Sequence, residues 1–369
     1  MFRETRFAIF CCAWVISLGL LPPAVPAADW QQEWQKTLSE ARKEGEVLLY
    51  GGYNPIYREH MTVFEKRYAG IQVRYTPGGG TQHATRILSE RRVGRFLADV
   101  VMGGASTFQV YPEGTFDPIR PMLLLPEVTD KSAWMGGDLS FVDAKGMYVV
   151  TAMGSVGQRL AYNTKLVDPK SIRAWRDLLN PKWKGKIVRL HRPGSVSDTL
   201  IFFYHTPSLG PEFISRLYKE TGIVHTENLR QGINWLAEGK FLLYLDGSGQ
   251  SITEAAKRGL SIDFVPQAFE EGEIISGGYC CAGILNRRPH PNAAKIFINW
   301  LLSKEAQATW QKLVGENSLR IDIPKDDVPP EVVPRKGASY FHVNQAKYHQ
   351  PKDLDVIRKI IEEAGKARR

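Results

Sequence analysis

The sequence predicts an α/β protein of two βα domains, each with a central mixed sheet, joined by a two-strand hinge. Three observations predict it. Short apolar runs alternate with segments of helical periodicity in two separate stretches, the spacing of βα units. The first three apolar runs each close on glycine, at Gly51-Gly52, Gly78-Gly79-Gly80 and Gly103-Gly104. Two segments rich in small residues, Gly154–Gly157 and Ser276–Gly283, mark where the chain crosses between the stretches. A chain of 369 residues, 43% hydrophobic and 24% charged, is long enough for two cores and has a globular composition.

The first residues read as a separate element. Arg3 and Arg6 precede the apolar run Phe7–Leu21, and Val25-Pro26-Ala27 fits a small-residue cleavage site. This pattern predicts a secretory signal peptide over residues 1–27, too short in its apolar run to span a bilayer. Removing it takes away Arg3, Arg6 and Glu4, so the formal charge falls from +9 to +8. The basic residues are interleaved with acids, which with export disfavours a nucleic-acid partner and favours anionic solutes. Cys280 and Cys281 are adjacent, and a bridge between neighbours closes a strained ring, so two buried thiols are expected.

Taken in order, Trp30–Lys43 has a helical repeat stopped near Gly45, and Glu46–Tyr50 reads as a buried strand. Pro55 opens a helix carrying Met61, Phe64 and Tyr68. Ile71–Thr76 is the second strand, Thr81–Val93 the next helix, and Ala98–Met102 the third strand. Phe116–Lys145 is proline-rich and irregular; Met147–Met153 is a strand leading into the first crossing. Ser171–Leu179 reads as a helix ending before Pro181, and Lys186–Leu190 as a strand. Helices follow at Thr199–Tyr204, Pro211–Thr221 and Asn228–Gly239, then the strand Phe241–Leu245, the helix Thr253–Arg258 and the strand Ser261–Pro266. Ile274–Leu285 is the second crossing. Asn292 is expected to cap a helix bearing Ile296, Phe297 and Trp300, followed by helices at Lys304–Val314 and Asp353–Ala367. Domain one is thus expected over residues 28–150 plus 283–325, and domain two over 155–276 plus 326–369. The hinge falls near 151–154 and 277–282.

Several stretches resemble a known family: Tyr162-Asn-Thr-Lys165, Trp175-Arg-Asp-Leu-Leu179, Pro181-Lys-Trp-Lys-Gly-Lys-Ile187 and the helical run Ala293–Ala306. They look like the periplasmic solute-binding proteins of ABC importers, in the type II class that includes ferric, polyamine, thiamine and phosphonate binders. The resemblance implies an extracytoplasmic, monomeric protein with no cofactor and no catalytic role, which hands a small solute to a membrane permease. Ferric members carry an adjacent tyrosine pair, suited to hard Fe(III). This sequence has no Tyr-Tyr, and Tyr53-Asn54 stands where a histidine is usual. The expected ligand is therefore a small anion: a phosphonate, a phosphate ester or an organic carboxylate. A ferric ion is the alternative, and an exported hydrolase a second one. No Gly-x-Ser-x-Gly elbow, His-Glu-x-x-His or phosphate loop supports the hydrolase.

Ligands of such sheets bind where loops leave the carboxyl ends of the strands. That points to Tyr53, Asn54, Gly80, Thr81 and Ser106 in domain one, and to Ser155 and Tyr279 at the crossings. In domain two it points to Arg192, Ser195, Val196, Ser197, Asp246 and Ser248. Free N–H groups at a helix start, with Ser195 and Ser197, suit an oxyanion, and Arg189 or Arg192 suits a bidentate contact. Each feature also has a plain reading: tight turns for the glycine loops, an N-cap for Ser195, surface charge for the arginines, a turn aspartate for Asp246. No residue is expected to bind a metal as a cofactor.

Overall fold

The computed structural model describes residues 29–108, 110–157, 160–191, 196–266, 268–279, 281–335, 338 and 340–366. The signal-peptide expectation over 1–27 falls outside them. Among the described residues no helix is long and apolar enough to cross a membrane.

Among the described residues fourteen strands follow in chain order: β1 (Glu46–Gly51), β2 (Gln72–Pro77), β3 (Val100–Gly103), β4 (Ser140–Phe141), β5 (Val149–Thr151), β6 (Ser155–Val156), β7 (Leu160–Asn163), β8 (Ile187–Leu190), β9 (Val224–Thr226), β10 (Leu243–Leu245), β11 (Ile262–Phe264), β12 (Glu273–Ser276), β13 (Cys281–Ile284) and β14 (Tyr340–His342). They form three sheets. The first has the order β2-β1-β3-β13-β5-β4, the second β11-β7-β10-β8-β9, and the third β14-β12-β6.

Parallel pairing holds β2, β1 and β3 together, while β13 enters antiparallel between β3 and β5. β3, β5 and β13 are buried along their whole length, as strands covered on both faces must be, and so read as apolar runs without alternation. In the second sheet β8, β9 and β10 are parallel, and β7 runs antiparallel to both of its neighbours, β10 and β11, so both large sheets are mixed. One core spans Trp34 to Met153 and resumes at Cys281 to Leu319. Another gathers Leu160–Ile223 with Leu243, Ile274, Val343, Ile357 and Ala364.

Several expectations are corrected. Ser171–Leu179 is no α-helix: Pro169–Ser171 and Trp175–Leu179 are 3-10 turns. The Asp177 carboxylate accepts the Arg173 and Ala174 amides, which tightens the start, and Asn180-Pro181 stops any continuation. The helix expected at Thr253 begins at Gly249 because Ser248 caps it. The stretch read as the second crossing, Ile274–Leu285, holds β13 and most of β12, which belong to different sheets. Cys281 is not a free thiol but is disulfide-bonded, and every other cysteine of the chain lies outside the described residues. Oxidation of this kind fits an exported protein.

Asn292 does not cap its helix. The helix runs Pro291–Leu301, with His290 at the cap position and no side-chain cap of its own. Glu44, at the end of the helix Asp29–Glu44, accepts from the Asn292 and Ala293 amides at 3.1 and 2.7 Å. A carboxylate at a helix N-terminus satisfies orphan N–H groups and meets the positive end of the dipole. Glu44→Ala is expected to cost about 1–2 kcal/mol in urea unfolding. A loss under a few tenths would show that the cap contributes nothing.

Candidate functional site

At the carboxyl end of β1 the chain turns through Gly51–Asn54. Asn54 accepts from the Ile56 amide at 3.1 Å and caps the helix Pro55–Arg67. Tyr53 is 67% exposed, and its hydroxyl donates to Gln82 at 2.5 Å. The Gly51 and Gly52 peptides are held from three sides. The buried His83 ring contacts the Gly51 carbonyl at 2.9 Å, Tyr75 donates to the Gly52 carbonyl at 2.6 Å, and Gly52 N–H donates to Tyr279 Oη at 2.8 Å. Tyr279 also stacks on Tyr57, with centroids 4.1 Å apart. Its hydroxyl therefore anchors the β1 loop to the second crossing.

Gly80 starts the helix Gly80–Arg92, and Thr81 follows it, exposed. A Cβ at Gly80 would fall 2.2 Å from Thr107 Oγ1, so this close approach requires glycine. Ser106 belongs to the short helix Ala105–Phe108, and its side chain is outside what is described.

Ser155, in β6, accepts from the Asn317 amide at 3.0 Å. It thus ties the first crossing to the segment beyond the helix Lys304–Val314.

The second sheet presents the carboxyl ends of the parallel strands β8 and β10. Arg189 pairs across with Leu245, and Asp246 follows β10. Asp246 has φ +62°, one of two non-glycine residues with positive φ among those described. This left-handed turn holds its carboxylate against Arg189 Nε at 2.8 Å and Thr199 Oγ1 at 2.5 Å. Arg189, 2% exposed, also donates to Ser197 Oγ at 3.0 Å and contacts His191 at 3.4 Å. Burial opposes the guanidinium charge, but the Asp246 carboxylate overrides it and raises the Arg189 pKa. Burial, then the Arg189 charge, lowers the pKa of His191 and keeps the imidazole neutral. The His191 ring stacks on His225 at 4.7 Å.

Ser197 caps the helix Asp198–His205 through the Leu200 amide, and Ser248 caps Gly249–Lys257 through the Ser251 amide. Val196 packs against the second core, so its side chain is apolar filling. Arg192 and Ser195 lie outside the described residues. Tyr244, read as core, is fully buried.

The crossing joins these two edges. Ser276 Oγ donates to Asp198 Oδ2 at 2.7 Å, in the first turn of the helix Asp198–His205. Two residues on, the Gly278 carbonyl lies 2.9 Å from where a Cβ on Gly104 would stand, and Tyr279 reaches Gly52. A few residues of one strand end thus touch the loop edges of both large sheets. Asp246 was among the predicted site residues, but its buried ion pair with Arg189 was not foreseen, nor were the anchor His83, Tyr57, Tyr75, Asp198 and Glu316. Arg189 was named with Arg192 as a candidate anion contact, but within a strand its face was undetermined.

Residues 60–325 match the family described as bacterial extracellular solute-binding protein. The chain belongs to that family. A Salmonella typhi protein provisionally named 2-aminoethylphosphonate-binding periplasmic protein is 25% identical over 287 residues, covering 76% of this chain and 78% of the relative. Among solved structures, a Trichodesmium protein (IdiA, FutA) in complex with iron and citrate superposes with TM-score 0.65 at 19% identity, covering 87% of this chain and 99% of that one. AfuA from Actinobacillus pleuropneumoniae, with fructose-6-phosphate bound, gives TM-score 0.58 at 19% identity over 86% and 97%. These likenesses fix the type II periplasmic binding fold. The chain is a periplasmic solute-binding protein of an ABC importer, a carrier that binds a small molecule for permease subunits rather than an enzyme.

Proposed function

We propose that this solute-binding protein captures a small anionic solute between the loop edges of its two large sheets: a phosphonate, a phosphate ester or an organic carboxylate. Domain one would comprise residues 28–150 plus 283–325, domain two 155–276 plus 326–369, with the hinge near 151–154 and 277–282. The observation that carries the reading is Ser197. Its hydroxyl caps a helix start directly beside the buried Arg189 guanidinium, and the free N–H groups of such a start attract oxyanions. Tyr53, Asn54, Gly80, Thr81 and Ser106 would line the facing edge, with Ser155 and Tyr279 at the hinge. Arg192, Ser195, Val196, Asp246 and Ser248 would complete the second half. The name of the Salmonella relative and the sugar phosphate bound to AfuA support a phosphorus oxyanion. Asp198, in the same turn as Ser197, would suit the amine of an aminoalkylphosphonate.

The ferric alternative is favoured by the iron-bound Trichodesmium neighbour. Against it, burial raises the pKa of Tyr57 to about 12 and that of Tyr279 well above its ordinary value, which disfavours phenolate donors. The Tyr279 hydroxyl is moreover engaged with the Gly52 amide.

Closure requires that the solute bind the closed form better than the open one. With 2-aminoethylphosphonate, fructose-6-phosphate and citrate as probes, a binder at one hundred times its Kd is expected to add about 2.7 kcal/mol to stability, a shift of several degrees. Ser197→Asp keeps an N-cap but sets a carboxylate where the oxyanion would sit, and is expected to weaken binding at least about a hundredfold. No shift with any of the three probes, or a tyrosinate–iron colour band on adding Fe(III), would overturn the reading.

A further inference from the structure

We propose a second ligand site, for a small organic cation, in a cavity beside the crossing strands at the β11 edge of the second sheet. The cavity measures about 520 Å3, within the size of small-molecule sites, and shares no lining residue with the proposed anion site. Its floor is apolar, with Leu160 and Phe264 beside an aromatic pair. Trp175 and Phe269 stack there with centroids 4.0 Å apart. Trp175 is 2% exposed, and its indole N–H has no hydrogen-bond partner among the described residues.

Among the described residues, three of the four charged side chains lining the cavity are acidic. Asp263, Glu273, Glu331 and Arg335 line the cavity. Arg335 is taken by Glu273 at 2.6 Å. The Asp263 carboxylate accepts the adjacent Phe264 amide at 2.7 Å and has no ion-pair partner among the described residues; Glu331 has none either. Two carboxylates without an ion-pair partner among the described residues therefore overlook an aromatic wall. An anion entering here meets like charge. A neutral guest leaves both carboxylates unpaired. An ammonium group on an apolar body satisfies the rim by charge and the rings by cation–π attraction, while its body covers the floor.

Calorimetric titration of the mature chain with 2-phenylethylammonium, 2-phenylethanol and 2-phenylacetate tests this. The ammonium is expected to bind about tenfold more tightly than the alcohol, with no detectable binding of the carboxylate. Asp263→Asn and Glu331→Gln, both at exposed positions, are each expected to weaken the ammonium about threefold. Equal binding of all three probes, no binding of the ammonium, or unchanged affinity in the double variant overturns the proposal. Ser197→Asp is expected to leave ammonium binding unchanged, so the two sites fail or stand separately.

Discussion

Replacing Asp246 with asparagine is expected to lower the unfolding free energy by about 3–5 kcal/mol, because it leaves a buried guanidinium without its counter-charge. Arg189 is 2% and Asp246 6% exposed at the side chain, so water cannot substitute for the missing carboxylate. Asparagine is the informative choice. It tolerates the left-handed backbone that Asp246 adopts at φ +62°, whereas alanine would add strain and confuse two causes. The loss should appear as a lower denaturant midpoint with an unchanged slope. Arg189→Met combined with Asp246→Asn should recover much of it, since removing both charges removes the desolvation cost as well. A loss below about 1 kcal/mol for the single variant would mean that the pair is solvated in solution. Because Arg189 also holds Ser197, the same variant should loosen the helix start proposed to meet the oxyanion.

The two large sheets were legible where their strands are apolar runs, as at β3, β8 and β10, since a run buried on both faces leaves a signal that needs no partner to be read; the two-residue β4 and the exposed β9 were not read as strands. The third sheet was not. β6 has two residues, β14 follows a proline cluster, and β12 adjoins the glycine-rich second crossing, so each lacks a pattern of its own and exists only through pairing. The site divides in the same way. Asn54, Ser197 and Ser248, named as candidate ligand contacts, prove to be helix caps, and a cap is a local event, a side chain meeting an amide two or three residues away. Arg189 and Asp246 meet across 57 residues, and Glu44 caps a helix 248 residues further on. No periodicity announces such contacts. Asn292 was misread for that reason: asparagine suits a cap, but a carboxylate from a distant helix had already taken the amides. His83 and Tyr75 looked like ordinary helix and strand residues; their role comes from the glycine loop above them, which offers peptide groups and no side chain of its own.

Glu316→Gln is expected to stabilise the protein by about 3 kcal/mol at pH 8 and to change little at pH 4. Glu316 follows the helix Lys304–Val314 and faces Gly278 of the crossing, with Oε1 2.5 Å from where a Cβ would stand there. Its Oε2 is shielded from water and has no hydrogen-bond partner among the described residues. Burial raises its pKa to about 7, against the smaller pull of Trp310 and the Tyr279 amide toward the charged form. The Trp310 indole N–H makes no formal hydrogen bond, so that pull is weak. The sign follows from proton linkage. Between the ordinary carboxyl value and about 7 the folded chain holds a proton that the unfolded chain has released, so stability falls as pH rises through this window. Glutamine cannot ionise and avoids the loss. Unfolding curves for both chains at pH 4, 6 and 8 should therefore coincide at the lowest value and separate progressively above it. Parallel curves would mean that Glu316 is solvated and ionised throughout. Since this carboxyl presses on the strand end that carries Gly278 and Tyr279, solute affinity should follow the same pH window in the parent chain and lose that dependence in the variant.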